Sequence, residues 1–383
     1  MRRKLYTKIL TKIEEPEAIV VTGMRRVGKT TLIKQVYESL ESANKIFLDL
    51  ENPVVQKYFE NENYDSIKYQ FEVLGIRSDQ KAFVFLDEIQ MVKNAPSVVK
   101  YLIDHYNWKF FLTGSSSFYL KNLFSESLAG RKSIFELFPL DFEEFLLLKG
   151  SSLKIPKHVN KPIYQTFEPL YREFVEFGGF PGVINKKSQE EKTEALSEIF
   201  TSYYNKEVLG IGGFKNNQVI RDLMLLLANR VGSKVDVQKL ATELGVTRVT
   251  INEYLAFLEG TYFVFSVNPF STDRDVEIRG AKKIYFCDSG LARILGKTDP
   301  GQLFENAIFQ QLKNKGQINY YQRKSGVEVD FVLNESSGWE IKTKASGRDI
   351  EKTYVLIKDI GLQDSKVVSF DYTTADVIYG FQI

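Results

Sequence analysis

Residues 23–31, GMRRVGKTT, match the spacing Gly-x-x-x-x-Gly-Lys-Thr. That spacing suits a loop that holds phosphate. Gly23 and Gly28 let the backbone curl so that amide N–H groups aim at one point, backed by the N-terminus of the helix that follows. Lys29 is then placed to reach the β- and γ-phosphates of a nucleotide, and the Thr30 hydroxyl to ligate Mg2+. The expected cradle is the whole run Gly23, Met24, Arg25, Arg26, Val27, Gly28, Lys29, Thr30 and Thr31. A glycine turn with no ligand is the competing account, and it explains less. A hydrophobic strand (EAIVVTG) leads into the loop and a helix (TLIKQVYESL) leaves it.

A second run, AFVFLDE at 82–88, is a hydrophobic strand ending in two acids. Asp87 is expected to hold Mg2+ through water, and Glu88 to polarise an attacking water. Phosphoryl transfer needs a positioned nucleophile and charge neutralisation more than covalent chemistry. A surface acid at a helix start is the plain alternative for Glu88. A third strand, KFFLTGSS, ends in Thr113, Ser115 and Ser116, hydroxyls that suit a γ-phosphate or a lytic water but are also ordinary turn formers. ATP is expected rather than GTP, since no Asn-Lys-x-Asp segment follows.

Near the other end lies EVDFVLNESSGWEIKTK, residues 328–344. On a hairpin, Glu340 and Lys342 share a face because strand side chains alternate with period two, and Asp330 stands on the partner strand. Two acids and a lysine converging there could bind a metal and a phosphodiester. They could equally be a solvated edge.

The elements that must position these groups form an α/β pattern. Short apolar runs (EAIVVTG, KIFLDL, AFVFLDE, KFFLTGSS, SIFELFPL) alternate with helical stretches, as in a parallel sheet covered on both faces. KGSSLKIPKHVNKP at 149–162 reads as an exposed connection, and 163–213 as helical, interrupted by FGGFPG. Three helical stretches from 219 to 261 and the strand YFVFSVNPF follow in the order of a winged helix-turn-helix. The chain of 383 residues has room for several cores, and 43% apolar with 26% charged residues is ordinary for a globular protein. One cysteine and two histidines exclude an internal disulfide and a zinc cluster. MRRKLYTK lacks the apolar core of a secretory signal, and the longest apolar runs are too short to span a bilayer, so no membrane role and a cytoplasmic location are expected.

GMRRVGKTT, FLDEIQ, FLTGSSS, SLAGR, FPLDFEEF and GGFP, in this order, resemble the prokaryotic AAA-superfamily ATPases called AAA_14; FCDSGL, LFENAIFQQL and EVDFVL resemble their C-terminal DUF4143 region. The resemblance spans nearly the whole chain. It implies a P-loop ATPase core at 1–150, a helical lid or linker at 151–213, a winged helix at 214–270 and a restriction-endonuclease-like domain of the PD-(D/E)xK type at 271–383. It also places Arg131, in SLAGR, where such ATPases offer an arginine to a neighbouring subunit's γ-phosphate, which calls for a homo-oligomer. A structural arginine at a helix end is the alternative. Arg25 and Arg26 are further candidates for that charge role or for partner contacts. Glu305, Asp330, Glu340 and Lys342 follow the E…D…E-x-K order of those nucleases, with Val329 where the proline would stand. Three carboxylates of this kind would hold a second Mg2+ or Mn2+. Leu303, Ile308 and Leu312 are expected to mark the buried side of the helix bearing Glu305.

Charge argues for restraint about DNA. Residues 215–270 hold six Lys/Arg against five Asp/Glu, and 301–383 ten against eleven, so neither has a broad field for a phosphate backbone. The net charge of +2 adds none. The expectation is Mg2+-dependent ATP hydrolysis driving a switch or motor on nucleic acid, with DNA cleavage by the last domain as an extension. The rival is a nucleotide-gated interaction protein whose last domain is an inactive binding module.

Overall fold

The computed structural model describes all residues except 62, 116–127, 129, 215, 272–276, 278–279 and 324. Contacts divide the chain into two units, Met1–Phe138 with Gly260–Tyr262, and Pro139–Glu259 with Phe263–Ile383. Among the described residues, no helix is long and apolar enough to cross a membrane.

In the first unit, β1 (Ala18–Thr22), β2 (Lys45–Asp49), β3 (Phe83–Asp87), β4 (Lys109–Gly114) and β5 (Lys132–Glu136) form a parallel sheet in the order β2-β3-β4-β1-β5. These are the five apolar runs of the sequence, and they serve two faces by alternation. Val20, Leu86 and Leu112 pack with Ile67 and Phe71 of helix Tyr64–Val73 and with Val98 and Leu102 of helix Ala95–Tyr106. Their neighbours point the other way. Phe85 stacks on Phe111 with ring centroids 4.2 Å apart, and Tyr37 of helix Lys29–Ser39 meets Phe85 edge-on at 5.3 Å. Each such ring contributes about 1.5–3 kcal/mol of burial. Removing one, as in Phe111→Ala, leaves a cavity costing about 3–5 kcal/mol.

All five strands run the same way, so their carboxyl ends share one edge. Thr22 pairs with Gly114 and Asp49 with Asp87 along it. Open parallel sheets place ligands at this edge, where the chain leaves neighbouring strands in different directions.

The second unit holds a mixed seven-stranded sheet: β6 (Val264–Pro269), β7 (Lys283–Phe286), β8 (Ile318–Gln322), β9 (Glu328–Leu333), β10 (Ser337–Lys342), β11 (Asp364–Ser369) and β12 (Ile378–Tyr379). Their order is β12-β11-β10-β9-β8-β6-β7. β9 and β10 make the antiparallel hairpin read from the sequence, with Trp339 opposite Phe331. Helices Asn217–Ala228, Val237–Leu244 and Arg248–Gly260 precede β6 in winged-helix order, and Gly245, at φ 64°, ends the second of them. β6 pairs antiparallel with β7 and parallel with β8, so the sheet continues across residue 270. Helices Lys161–Phe177 and Gln189–Tyr203 fill most of 161–203, the second started by a Ser188/Glu191 capping box.

One expectation is corrected. Helix Pro300–Lys313 does not bury a single side: Phe304, Asn306, Phe309, Gln310 and Gln311 are buried besides Leu303, Ile308 and Leu312. The polar side chains there are bonded through most of their polar atoms, the Gln310 oxygen excepted. Asn306 accepts from the Phe286 amide at 2.8 Å and donates to its carbonyl at 3.2 Å, and Gln311 donates to the Gly380 carbonyl at 3.2 Å.

Candidate nucleotide site and a buried charged cluster

The loop after β1 needs its glycines. Gly23 sits at φ 149°, and a Cβ there would lie 2.1 Å from the Leu137 carbonyl oxygen. Gly28, at φ 100°, takes the left-handed conformation that turns the chain into helix Lys29–Ser39. Met24 and Val27 are buried anchors, while Arg26 (φ 64°) and Thr31 are exposed. Arg25 lies 3.5 Å from Glu51. Lys29 is buried, and its ammonium donates to the carbonyls of Gly23 at 2.9 Å and Met24 at 3.0 Å. From behind, Arg3 donates to the Val27 carbonyl at 2.9 Å and to the Phe138 carbonyl at 2.8 Å. The sequence reading saw only a basic N-terminus there. Thr22 Oγ1, at the mouth of the loop, is buried without a hydrogen-bond partner.

The acids at the end of β3 are tied to β4. Thr113 donates through its hydroxyl to Asp87 and accepts from the Glu88 amide at 3.0 Å. Burial pushes the Asp87 carboxyl up, hydrogen bonds from Thr113 and Thr30 pull it down, and the charges of Glu88 and Asp49 raise it again; the net direction is upward. Glu88 occupies the left-handed region at φ 56°, unusual for a non-glycine residue and found where side chains must be aimed. Its carboxylate accepts from Gln90 Nε2, which also donates to Ser115 Oγ at 3.1 Å. Gln90 Oε1 is buried with no partner. So Asp87, Thr113, Glu88 and Ser115 are joined in one bonded group, in which Gln90, which the sequence reading did not single out, links Glu88 to Ser115. Thr30 stands close enough to Asp87 to lower its carboxyl. Ser116 lies outside the described residues.

Arg131 is elsewhere. Its carbonyl accepts from Ala18 N at 2.8 Å, at the amino ends of β1 and β5, the edge opposite the phosphate loop. Its guanidinium bonds Asp104 at 2.6 Å. A strand of five residues spans about 15 Å, so Arg131 cannot reach the nucleotide site of its own chain.

In the second unit, Glu305, Asp330, Glu340 and Lys342 do interact, but with company. Lys342 bonds Glu340 at 2.5 Å, and the Ile341 amide donates to Asp330 at 2.7 Å. The buried Lys283 of β7 bonds Glu328 and lies 3.7 Å from Glu305. Tyr285 donates to the same Glu305 oxygen at 2.6 Å, and Gln322 donates to the other Glu328 oxygen at 2.9 Å. Burial, with the Asp330 charge next, pushes Glu305 up to about 8 and Glu340 to about 7. Asp330 is also raised, by burial first. Burial works to lower Lys283, yet Glu305, Asp330 and Glu328 overcome it and leave the ammonium above its ordinary value. The expectation of a metal on Glu305, Asp330 and Glu340 finds no support here. Among the described residues, no three His, Cys, Asp or Glu side chains are set to hold one metal ion. Lysines, a tyrosine and an amide each engage one oxygen of these carboxylates.

A groove of about 710 Å3 also lies in this unit, lined by Lys234, Asp236, Arg248, Asn252, Glu259 and Lys282 among others. Asp236 accepts from the Lys239 amide and Glu259 from Ser266, whereas Arg248 and Lys282 form no ion pair among the described residues.

Residues 15–146 match the model of an AAA domain, AAA_14, and residues 300–377 that of a domain of unknown function, DUF4143. The chain belongs to the prokaryotic AAA_14/DUF4143 family. A third model, the domain of unknown function DUF8612, matches residues 168–302. An uncharacterized protein of Methanocaldococcus jannaschii is 26% identical over 92% of this chain and 81% of its own length. One of Haemophilus influenzae is 26% identical over 87% and 84%. Among solved structures, the chain is similar to the Aeropyrum pernix ORC1 protein in complex with DNA, at 13% identity and TM-score 0.36 over 76% of this chain and 91% of that one. The Aeropyrum pernix ORC2 protein in its ADP form gives 14% and 0.36 over 68% and 85%. Within this AAA_14/DUF4143 chain, the AAA domain carries every group of the phosphate site and Arg131. Lys283 and Tyr285 fall in the DUF8612 stretch and the acids that meet them in the DUF4143 stretch, so neither stretch alone reveals the cluster.

Proposed function

We propose that this AAA domain binds and hydrolyses ATP with Mg2+ and that the cycle drives a switch acting on nucleic acid. The observation that carries the reading is the bonded group of Asp87, Thr113, Glu88, Gln90 and Ser115, with Thr30 near Asp87, beside a glycine-shaped loop. Lys29 and the amides of Met24 to Thr30 would hold the phosphates. Thr30 and Asp87 fit Mg2+, a hydroxyl next to a carboxylate, and when bound the ion neutralises charge on the phosphate oxygens. Glu88 would orient and deprotonate the attacking water. Ser115 would contact the γ-phosphate, and Arg131 would serve a neighbouring copy of the chain, since its own site is out of reach. The groove with Arg248 and Lys282 offers a local contact for a phosphodiester backbone that the low overall charge conceals.

The test is nucleotide binding and phosphate release. Lys29→Ala is expected to weaken ATP binding more than about 100-fold, while Glu88→Gln binds normally and loses roughly 100- to 1,000-fold in turnover. Equal loss of binding in both variants would assign Glu88 a structural role. Mixing Lys29→Ala with Arg131→Ala protein is expected to restore some hydrolysis, because mixed interfaces contain an intact site. Stimulation by a DNA panel separates the nucleic-acid reading from its rival, a nucleotide-gated protein-interaction switch, which predicts no response.

A further inference from the structure

The acid cluster of the second unit contains its own cation. Lys283 enters from β7 with a side chain 4% exposed, bonds Glu328, and lies 3.7 Å from Glu305 Oε1. Each carboxylate around it already has a partner on at least one oxygen. Both Glu328 oxygens are engaged, by Lys283 and by Gln322. Glu305 Oε1 also accepts from Tyr285. A Cβ built on Gly232 would lie 2.9 Å from Glu305 Oε1 and 3.1 Å from Oε2, so any larger residue at 232 would crowd this carboxylate. Asp330 Oδ2 is held by the Ile341 amide and Glu340 Oε1 by Lys342.

A hard divalent ion wants oxygens that converge at about 2.0–2.6 Å with nothing positive beside them. Here Glu328 and Glu305 face the Lys283 ammonium, and Glu340 faces that of Lys342. An ion on Glu305 would sit next to the buried Lys283 charge, in a setting where water screens poorly. The E…D…E-x-K residue types are present, and their surroundings do not fit a metal.

We propose that Lys283 is the built-in cation of this cluster, filling the charge role of a divalent metal, so that the C-terminal sheet takes up no divalent ion until Lys283 is neutralised. The consequence is a domain with the residue set of a metal nuclease that uses it as a structural charge network. It draws only on second-unit residues and is independent of whether Lys29 and Glu88 hydrolyse ATP.

The experiment is Mn2+ titration of the full chain without nucleotide, read by calorimetry and by manganese electron paramagnetic resonance. The wild type is expected to show no saturable binding below about 1 mM, whereas Lys283→Met binds one Mn2+ per chain at least about 10-fold more tightly. Mn2+ should also raise the unfolding temperature of Lys283→Met and leave the wild type unmoved. Stoichiometric Mn2+ binding by the wild type, abolished by Asp330→Asn, would overturn the proposal. So would a folded Lys283→Met protein with no gain in affinity. If Lys283→Met does not fold, Lys283→Gln with Glu328→Gln keeps a hydrogen bond between the two positions, removes the ammonium, and reads the same gain or its absence.

Discussion

Lys29 and Lys283 are both buried lysines at the ends of strands or the loops they feed, and they differ in what holds them. Lys29 donates to two neutral carbonyls, those of Gly23 and Met24. Lys283 sits among the carboxylates of Glu328, Glu305 and Asp330. A carbonyl is a weak competitor for an ammonium, so an incoming phosphate can take its place and be better bound than water. A carboxylate is a strong competitor, and the pair is already neutral. Neutral partners alone do not mark a ligand site, since the buried Lys109 ammonium donates to the carbonyls of Lys12, Glu15 and Glu17 at the opposite edge of the same sheet. What sets Lys29 apart is the glycine-shaped loop beside it, and what sets Lys283 apart is its carboxylate partners.

The largest effects should separate the two lysines in opposite directions. Lys29→Met is expected to cost more than about 100-fold in nucleotide affinity and less than about 1 kcal/mol in stability, because the ammonium's own desolvation cost leaves with it. Lys283→Met should leave nucleotide affinity within about 3-fold and destabilise the second unit by about 3 kcal/mol, since it strands buried carboxylates without a counter-ion. Chemical unfolding and nucleotide titration of both variants check this. Equal stability costs would erase the distinction.

A smaller effect follows from pH. Glu305 has its pKa raised from 4.5 to about 8, Glu340 from 4.5 to about 7, and Asp288, fully buried where it caps helix Ser289–Leu295, from 3.8 to about 7; burial is the first cause in each. An acid whose folded value is raised stabilises the fold fully below its unfolded value, and that contribution is lost as pH climbs through the folded one. The second unit should therefore weaken between about pH 4.5 and 8, the reverse of what paired surface carboxylates give. Glu305→Gln keeps an acceptor for Tyr285 and should remove up to about 5 kcal/mol of that fall. The chain has two tryptophans, Trp108 in the first unit and Trp339 in the second. In a Trp108→Phe background the fluorescence of Trp339 reads the second unit alone. An unchanged pH slope in Glu305→Gln would mean that Glu305 stays charged and that Lys283 neutralises it more fully than the geometry implies.

How much of this was legible in the sequence follows the same divide. The phosphate loop and the AFVFLDE strand were readable because their residues are contiguous and a parallel sheet fixes where its strand ends lie. The five strands of the first unit came out of the apolar runs directly. The hairpin of β9 and β10, with Asp330 and Glu340 on it, was readable from alternation, and Glu305 was added to them only by the family resemblance. Lys283, Tyr285 and Glu328 were not, because nothing local marks a lysine in KIYF as buried, and what neutralises it stands on other strands and a helix. Helix Pro300–Lys313 misled for a related reason: Asn306, Gln310 and Gln311 look like a solvent face until their backbone partners are known. Arg3 was passed over as part of a basic terminus, yet it fastens the phosphate loop.

The smallest expected effect concerns Gln90, which separates aiming a catalytic group from supplying one. It lies two residues beyond Glu88 in the turn Ile89–Met91, and its amide nitrogen joins the Glu88 carboxylate to Ser115 at the end of β4. Its oxygen is buried without a partner, so these two bonds are the side chain's hydrogen bonds among the described residues. Neither bond touches the loop that would cradle phosphate. Gln90→Met fills the same space and lacks the amide, whereas Gln90→Ala removes both. If the amide aims Glu88, both variants should lower kcat by about 5- to 10-fold, the worth of one charge-assisted hydrogen bond of about 1–1.5 kcal/mol, with nucleotide Kd unchanged. Steady-state phosphate release and nucleotide titration measure the two quantities separately. A loss in Gln90→Ala that Gln90→Met restores would assign Gln90 to packing. A rise in kcat in both would mean that the amide holds Glu88 back from the water rather than toward it.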